Sequence, residues 1–162
     1  MIDYNFAVMK EGGGKAALDS GTTFVYFSLK LYNAFKLKFA NFCRSGSTNC
    51  AKISDFQTCY IHNKKAYPNI QDFFNTFPPI MFTFDDTVMI DWVPSEYFFH
   101  DGNSTSYCIG IEPLKDLILG AIFMKNFDIL FDQEKKSVGF VQANCDGSGP
   151  KDLTTFISQN YR

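Results

Sequence analysis

The stretch that decides the reading is Ala16-Ala17-Leu18-Asp19-Ser20-Gly21-Thr22-Thr23-Phe24-Val25-Tyr26-Phe27. An apolar run delivers a single aspartate into a short polar turn, and apolar residues resume directly after it. This pattern places a carboxylate at the mouth of a buried strand. Gly21 has no Cβ, so the backbone can turn tightly there and present its N–H groups, while the hydroxyls of Ser20, Thr22 and Thr23 add donors around the same carboxylate. A buried carboxylate is costly unless it is hydrogen-bonded, so this density of donors reads as a carboxylate held in place. The plainer alternative is a strand-to-turn corner in which Asp19 bonds only its own backbone.

Two segments near the other end of the chain bear on that choice. Leu117-Ile118-Leu119-Gly120-Ala121-Ile122-Phe123-Met124 is an apolar run broken by one glycine. Phe127-Asp128-Ile129-Leu130-Phe131-Asp132, a polar turn and Ser137-Val138-Gly139-Phe140 follow as a hairpin. Taken in order with Asp19-Ser20-Gly21-Thr22, these segments resemble the C-terminal lobe of the pepsin-like aspartic peptidases. The resemblance runs from about Lys15 to Cys145. It implies a mostly β fold, a single lobe of the bilobal acid-protease β-barrel with short helices. Residues 1–145 would be the catalytic lobe and 146–162 a C-terminal tail.

The resemblance also assigns roles. Asp19 would be one half of a catalytic aspartate dyad, with Thr22 bonded to its outer oxygen and Ser20 in a hydroxyl network joining two active-site turns. Thr23 and Phe24 would lie along the substrate groove, and Ile118, Leu119 and Gly120 would pack behind the turn. The second Asp-Thr-Gly turn and its tyrosine-bearing flap have no counterpart in this sequence, because Asp101-Gly102 and Asp146-Gly147 lack the middle hydroxyl residue. The partner aspartate is therefore expected on an N-terminal lobe outside this chain, and this chain by itself is expected not to be a competent peptidase. Alone and facing water, Asp19 would titrate as an ordinary carboxylate. At Ala121 many acid-acting members carry an aspartate, which leaves an acidic optimum open. The competing readings are a non-catalytic lone lobe that binds peptide or protein and, third, a homodimer pairing Asp19 with its own copy.

Composition agrees with a folded β domain. The 162 residues suffice for one sizeable core, and 46% hydrophobic against 20% charged excludes a disordered chain. Nineteen Phe and eight Tyr suit a β-rich core better than a helical bundle. A net charge of -2 with no Lys/Arg run gives no reason to expect nucleic acid, and the apolar runs are too short to span a membrane. No cofactor or metal is expected, since no Cys-x-x-Cys pair occurs and His62 and His100 are not at ligand spacing. The expected partners are thus a peptide or protein substrate and the N-terminal peptidase lobe.

Met1 to Asn5 lack the pattern of a secretory signal, which read literally predicts a cytosolic protein. The five cysteines argue for a secreted protein or one in the lysosomal or vacuolar lumen. The family resemblance implies a bridge between Cys59 and Cys108, which on the chain-entropy account contributes about 4 kcal/mol at most. Cys43 and Cys50 could form a second, local bridge, leaving Cys145 odd. Five buried thiols are the alternative. Asn103-Ser104-Thr105 is a glycosylation sequon, meaningful only if the chain is secreted.

Along the chain, Tyr4, Phe6 and Val8 alternate as a strand, and Gly12 to Gly14 turn it toward Asp19. Leu31, Tyr32, Phe35 and Phe39 recur at helical spacing after a Ser28 cap. Asn41 to Tyr60 reads as a loop. Phe77 to Phe84 and Val88 to Trp92 read as a hairpin across Asp85-Asp86, and Gly120 to Asn126 as one helical turn.

Overall fold

The computed structural model describes residues 16–44, 59–84, 88–102, 105–135, 137–143 and 145. The Tyr4–Val8 strand, the Gly12–Gly14 turn, Asp85-Asp86, Asn103, Cys50, the Cys43 side chain and the 146–162 tail lie outside the described residues.

In chain order the elements are β1 (Ala16–Leu18), β2 (Val25–Ser28), α1 (Leu29–Arg44), β3 (Cys59–Ile61), α2 (Ile70–Phe74), β4 (Ile80–Phe84) and β5 (Val88–Trp92). They continue with α3 (Pro94–Tyr97), β6 (Phe98–His100), β7 (Ser106–Ile109), β8 (Ile111–Leu114), β9 (Leu117–Leu119), β10 (Phe127–Asp132) and β11 (Ser137–Gln142). The chain is mostly β, as the resemblance to a pepsin-like lobe implies.

The sheet that carries the Asp19 turn has the order β1-β9-β2-β8. β9 runs parallel to β1, with Leu18 opposite Leu119, and antiparallel to β2, with Tyr26 opposite Ile118. The two strands flanking the Asp19 turn are thus separated by a strand from the other end of the chain. They cannot pair with each other, so the turn between them stays open and is fixed by β9. Parallel pairing of β2 with β8 completes the sheet. The remaining strands form the sheet β3-β7-β6 and the hairpins β4–β5 and β10–β11.

Aromatic rings fill the core. α1 buries Leu31, Tyr32, Phe35 and Phe39 at the spacing read from the sequence, and Ser28 Oγ accepts from the Leu31 N–H at 3.4 Å, capping the helix. Phe35 meets Phe27 edge-on at 6.0 Å, and Phe82 lies 4.9 Å from Phe123, each beyond simple burial an added attraction of about 1 kcal/mol. A second cluster joins Phe73, Phe74 and Phe77 of the α2 region to Phe98 and Tyr60 on the β3-β7-β6 sheet.

Three readings change. The expected loop from Asn41 to Tyr60 is shortened at both ends, because α1 continues to Arg44 and Cys59–Ile61 is a strand paired with β7. α2 is added: Asn69 accepts from the Gln71 N–H at 3.0 Å, an N-cap ahead of Ile70, Phe73, Phe74 and Phe77. Residues 121–126 form successive turns, with Phe123 N–H to Gly120 O and Met124 N–H to Ala121 O at 3.0 and 3.1 Å, and no helix. Asn126 closes them at φ 59°, in the left-handed region that ends helical winding.

Candidate active site

Asp19 follows β1 directly, and its own N–H donates to Leu119 O at 3.0 Å, anchoring the turn to β9. Gly21 N–H donates to Oδ1 at 2.9 Å and the Thr22 hydroxyl to Oδ2 at 2.5 Å, so both carboxylate oxygens are held. Of the three hydroxyls expected around the carboxylate, Thr22 alone bonds it. Ser20 and Thr23 are exposed.

The side chain of Asp19 is exposed, facing water as expected of a lobe without its partner turn. The donors compensate charge, not burial. They hold the carboxyl below the usual aspartate value, the Thr22 hydroxyl contributing most and the Gly21 N–H next. Asp19 in this lobe therefore does not titrate as an ordinary carboxylate. Glycine at position 21 serves close approach, since a Cβ there would stand 3.2 Å from Asp19 Oδ1.

Behind the turn, Gly120 makes the tightest fit. A Cβ at this position would lie 2.2 Å from Phe24 O and 2.6 Å from Thr22 O. Glycine lets β9 enter between β1 and β2, and the next two N–H groups are then used at once: Ala121 donates to Thr22 O at 2.7 Å and Ile122 to Thr23 O at 3.0 Å. The backbone of the turn is thereby bonded from behind while its side chains face outward. Leu119 is buried and Ile118 half-buried. Phe24 is half-buried and packs against Phe99 with ring centroids 4.9 Å apart and planes tilted by 37°, so one flank of the turn is an aromatic surface.

Cys59 and Cys108 face each other across β3 and β7 and are joined in a disulfide with both residues buried. Cys145 is exposed and free. An open cleft of about 560 Å³ lies between Ala16–Leu18 and Phe131, Asp132 and Val138, and none of the residues of the Asp19 turn lines it. Among the described residues no group of three His, Cys, Asp or Glu is placed to hold a metal, and no helix is long and apolar enough to cross a membrane.

The sequence reading gave no role to Glu96 or Asn126, which the fold brings together. Asn126 Nδ2 donates to Glu96 Oε1 at 3.3 Å. A separation of thirty residues gave no local signal.

Comparison with known proteins bears on the family. The family model described as Xylanase inhibitor C-terminal matches residues 2–142. Aspartic proteinase 39 of Arabidopsis thaliana is 23% identical over 155 residues, covering 91% of this chain and 30% of that protein. Plasmepsin V of Plasmodium falciparum is 24% identical over 167 residues, covering 85% of this chain and 27% of its own length. Aspartic protease 5 of Toxoplasma gondii is 35% identical over a shorter stretch of 78 residues, 46% of this chain and 8% of that protein. The chain thus spans less than a third of the length of the curated relatives it matches. With β9 threaded between the arms of an Asp-Ser-Gly-Thr turn and a family match over most of its length, the chain belongs to the Xylanase inhibitor C-terminal family, the C-terminal lobe of the pepsin-like aspartic protease fold.

Proposed function

We propose that this chain is the C-terminal lobe of an aspartic endopeptidase, with Asp19 as one carboxylate of a proton-sharing dyad and the other supplied by an N-terminal lobe. The observation that carries this reading is the Asp19 carboxylate itself, exposed and bonded on both oxygens by Gly21 and Thr22. Two such carboxylates brought together cannot both ionise, so the pair holds one proton. The ionised member takes a proton from a bound water as it attacks the scissile carbonyl, and the protonated member donates to that carbonyl oxygen.

In this reading Thr22 holds the outer oxygen, and Ser20 contributes to the hydroxyl network between the two turns. Thr23 and Phe24 border the substrate groove, with Phe99 behind Phe24. Ile118 to Gly120 support the turn. Residues 1–145 are the lobe and 146–162 its tail. The exposed Leu130 and Phe131 on β10 supply apolar surface for the second lobe, and the buried Cys59–Cys108 bridge supports a secreted or lysosomal or vacuolar setting.

The test is Asp19→Asn in the native protein that carries this lobe, assayed on an unfolded protein substrate. Loss of activity on the order of 10³-fold or more with unchanged stability is expected, the scale of a lost acid–base group. Full activity in the variant would end the reading. A second reading, a non-catalytic lobe that binds a protein, is favoured by the description of the matched family as Xylanase inhibitor C-terminal. Hydrolysis undetectable in the native protein, with binding of a protein partner unaffected by Asp19→Ala, would select it.

A further inference from the structure

Glu96 is the buried carboxylic acid among the described residues, with 2% of its surface exposed. It sits in α3 behind Pro94, flanked by Trp92 and Tyr97, both fully buried. Oε1 accepts from Asn126 Nδ2 at 3.3 Å, while Oε2 has no hydrogen-bond partner among the described residues. Lys125 Nζ donates to the Glu96 main-chain oxygen at 3.4 Å in a partly buried bond, and burial lowers the proton affinity of this lysine although part of its side chain reaches solvent.

The elements packed around Glu96 offer little else to balance a charge. α2 carries Asp72, β5 carries Asp91 and β6 carries His100, and all three are exposed. Lys125 is the charged group that acts on Glu96, and together with the Asn126 amide and the Val93 backbone it favours the ionised form. Burial outweighs them and raises the carboxyl above its ordinary value. A buried carboxylate with one bare oxygen is a costly arrangement, whereas the neutral acid is tolerated there.

The contacts of Glu96 fall on the last residues of the 121–126 turn. The first residues of that same turn, Ala121 and Ile122, hold Thr22 and Thr23. We propose that Glu96 is a proton-operated latch: as the neutral acid it keeps α3 docked on the 121–126 turn, and on losing its proton to solvent it loosens that turn and the Asp19 turn bonded to its other end. A group whose folded value is raised stabilises fully below its unfolded value of 4.5 and loses that contribution as pH rises through the folded value. The lobe is thereby firmest in acid.

The test is amide hydrogen exchange of the segment 117–127 in the native protein, followed from acid to mildly alkaline pH and corrected for intrinsic exchange. Protection is expected to fall about tenfold per pH unit, the linkage of one proton, in the window above pH 4.5 where folded Glu96 keeps its proton. Glu96→Gln keeps the acceptor for Asn126 and cannot ionise, so its profile should be flat and its protection at neutral pH higher than that of the parent. A flat profile in the parent, or a parallel fall in the variant, would overturn the latch. Should the variant fail to fold, the Glu96 carboxyl resonance decides, and a midpoint at the ordinary glutamate value would overturn it equally. The readout needs no peptidase activity, so failure of the Asp19 reading would leave it standing.

Discussion

Asp19 and Glu96 lie at the two ends of one backbone turn, residues 120–126, and the fold treats their carboxyl groups in opposite ways. Asp19 is exposed and receives one hydrogen bond on each oxygen from residues two and three positions away. Glu96 is buried and receives a bond on one oxygen, from Asn126, thirty positions away. The first is pushed toward its charged form by donors and the second toward its neutral form by burial. Attachment to the same turn does not make two acids alike. What decides the charge is whether donors reach the carboxylate before water is removed from it. The opposed signs fit the two roles proposed above, an outward carboxylate of a dyad and an inward one that responds to pH.

The comparison would break most severely at Gly120, which both ends share. Gly120→Ala forces a methyl group toward Phe24 O and Thr22 O, backbone atoms that cannot rotate away. We expect a loss of about 3 kcal/mol in denaturant unfolding, at the upper end for overpacking. The Ala121 and Ile122 amides, which bond the Asp19 turn, should lose exchange protection before the Glu96 end does. An unfolding midpoint equal to that of the parent would mean that β9 does not brace the turn.

A smaller effect isolates the Glu96 end. Asn126 holds φ 59° and also donates to Glu96, so Asn126→Gly removes the bond and keeps the backbone, whereas Asn126→Ala removes both comforts. The alanine variant should be less stable than the glycine variant by about 1 kcal/mol, the cost of a side chain in the left-handed region. Both should raise the Glu96 carboxyl further, since a donor to its charged form is gone. Equal stability of the two variants would show that the left-handed geometry costs nothing there.

These two ends were not equally legible in the sequence. The Asp19 site is local: the donors lie within Asp19-Ser20-Gly21-Thr22, and an apolar run on each side announces the strands. Gly120 stood out as a lone break in an apolar run. Its reason is steric and becomes visible once β9 lies against Thr22 and Phe24. Exposure of Asp19 was legible through the missing partner turn and not through the local pattern, because an apolar approach to a polar turn looks the same whether the turn faces inward or outward. α2 carried a signal that could have been found, Asn69 followed by apolar residues at helical spacing. Glu96 carried none, since a glutamate in a first helical turn after proline ordinarily faces water, and only the packing of Asn126 and the aromatic core around it buries the group.

The smallest expected effect tests whether donors alone set the Asp19 end. Thr22→Val removes the hydroxyl that lowers the Asp19 carboxyl most and leaves the Gly21 N–H in place. Its titration, followed by the side-chain carboxyl resonance, should move up toward the ordinary value of 3.8 and remain below it, while the Glu96 titration stays where it was. The sign for stability is opposite to that of Glu96. A carboxyl lowered by folding stabilises above its unfolded value and loses that contribution as pH falls through the folded value. Removing the Thr22 hydroxyl therefore narrows an acid-side window that Glu96 does not share, and because Asp19 is exposed the change belongs in the titration curve and not in the unfolding midpoint. An Asp19 titration unmoved by the substitution would mean that something other than its two local donors keeps this carboxylate charged, and the contrast with Glu96 would then have to be rebuilt on the field of the whole turn.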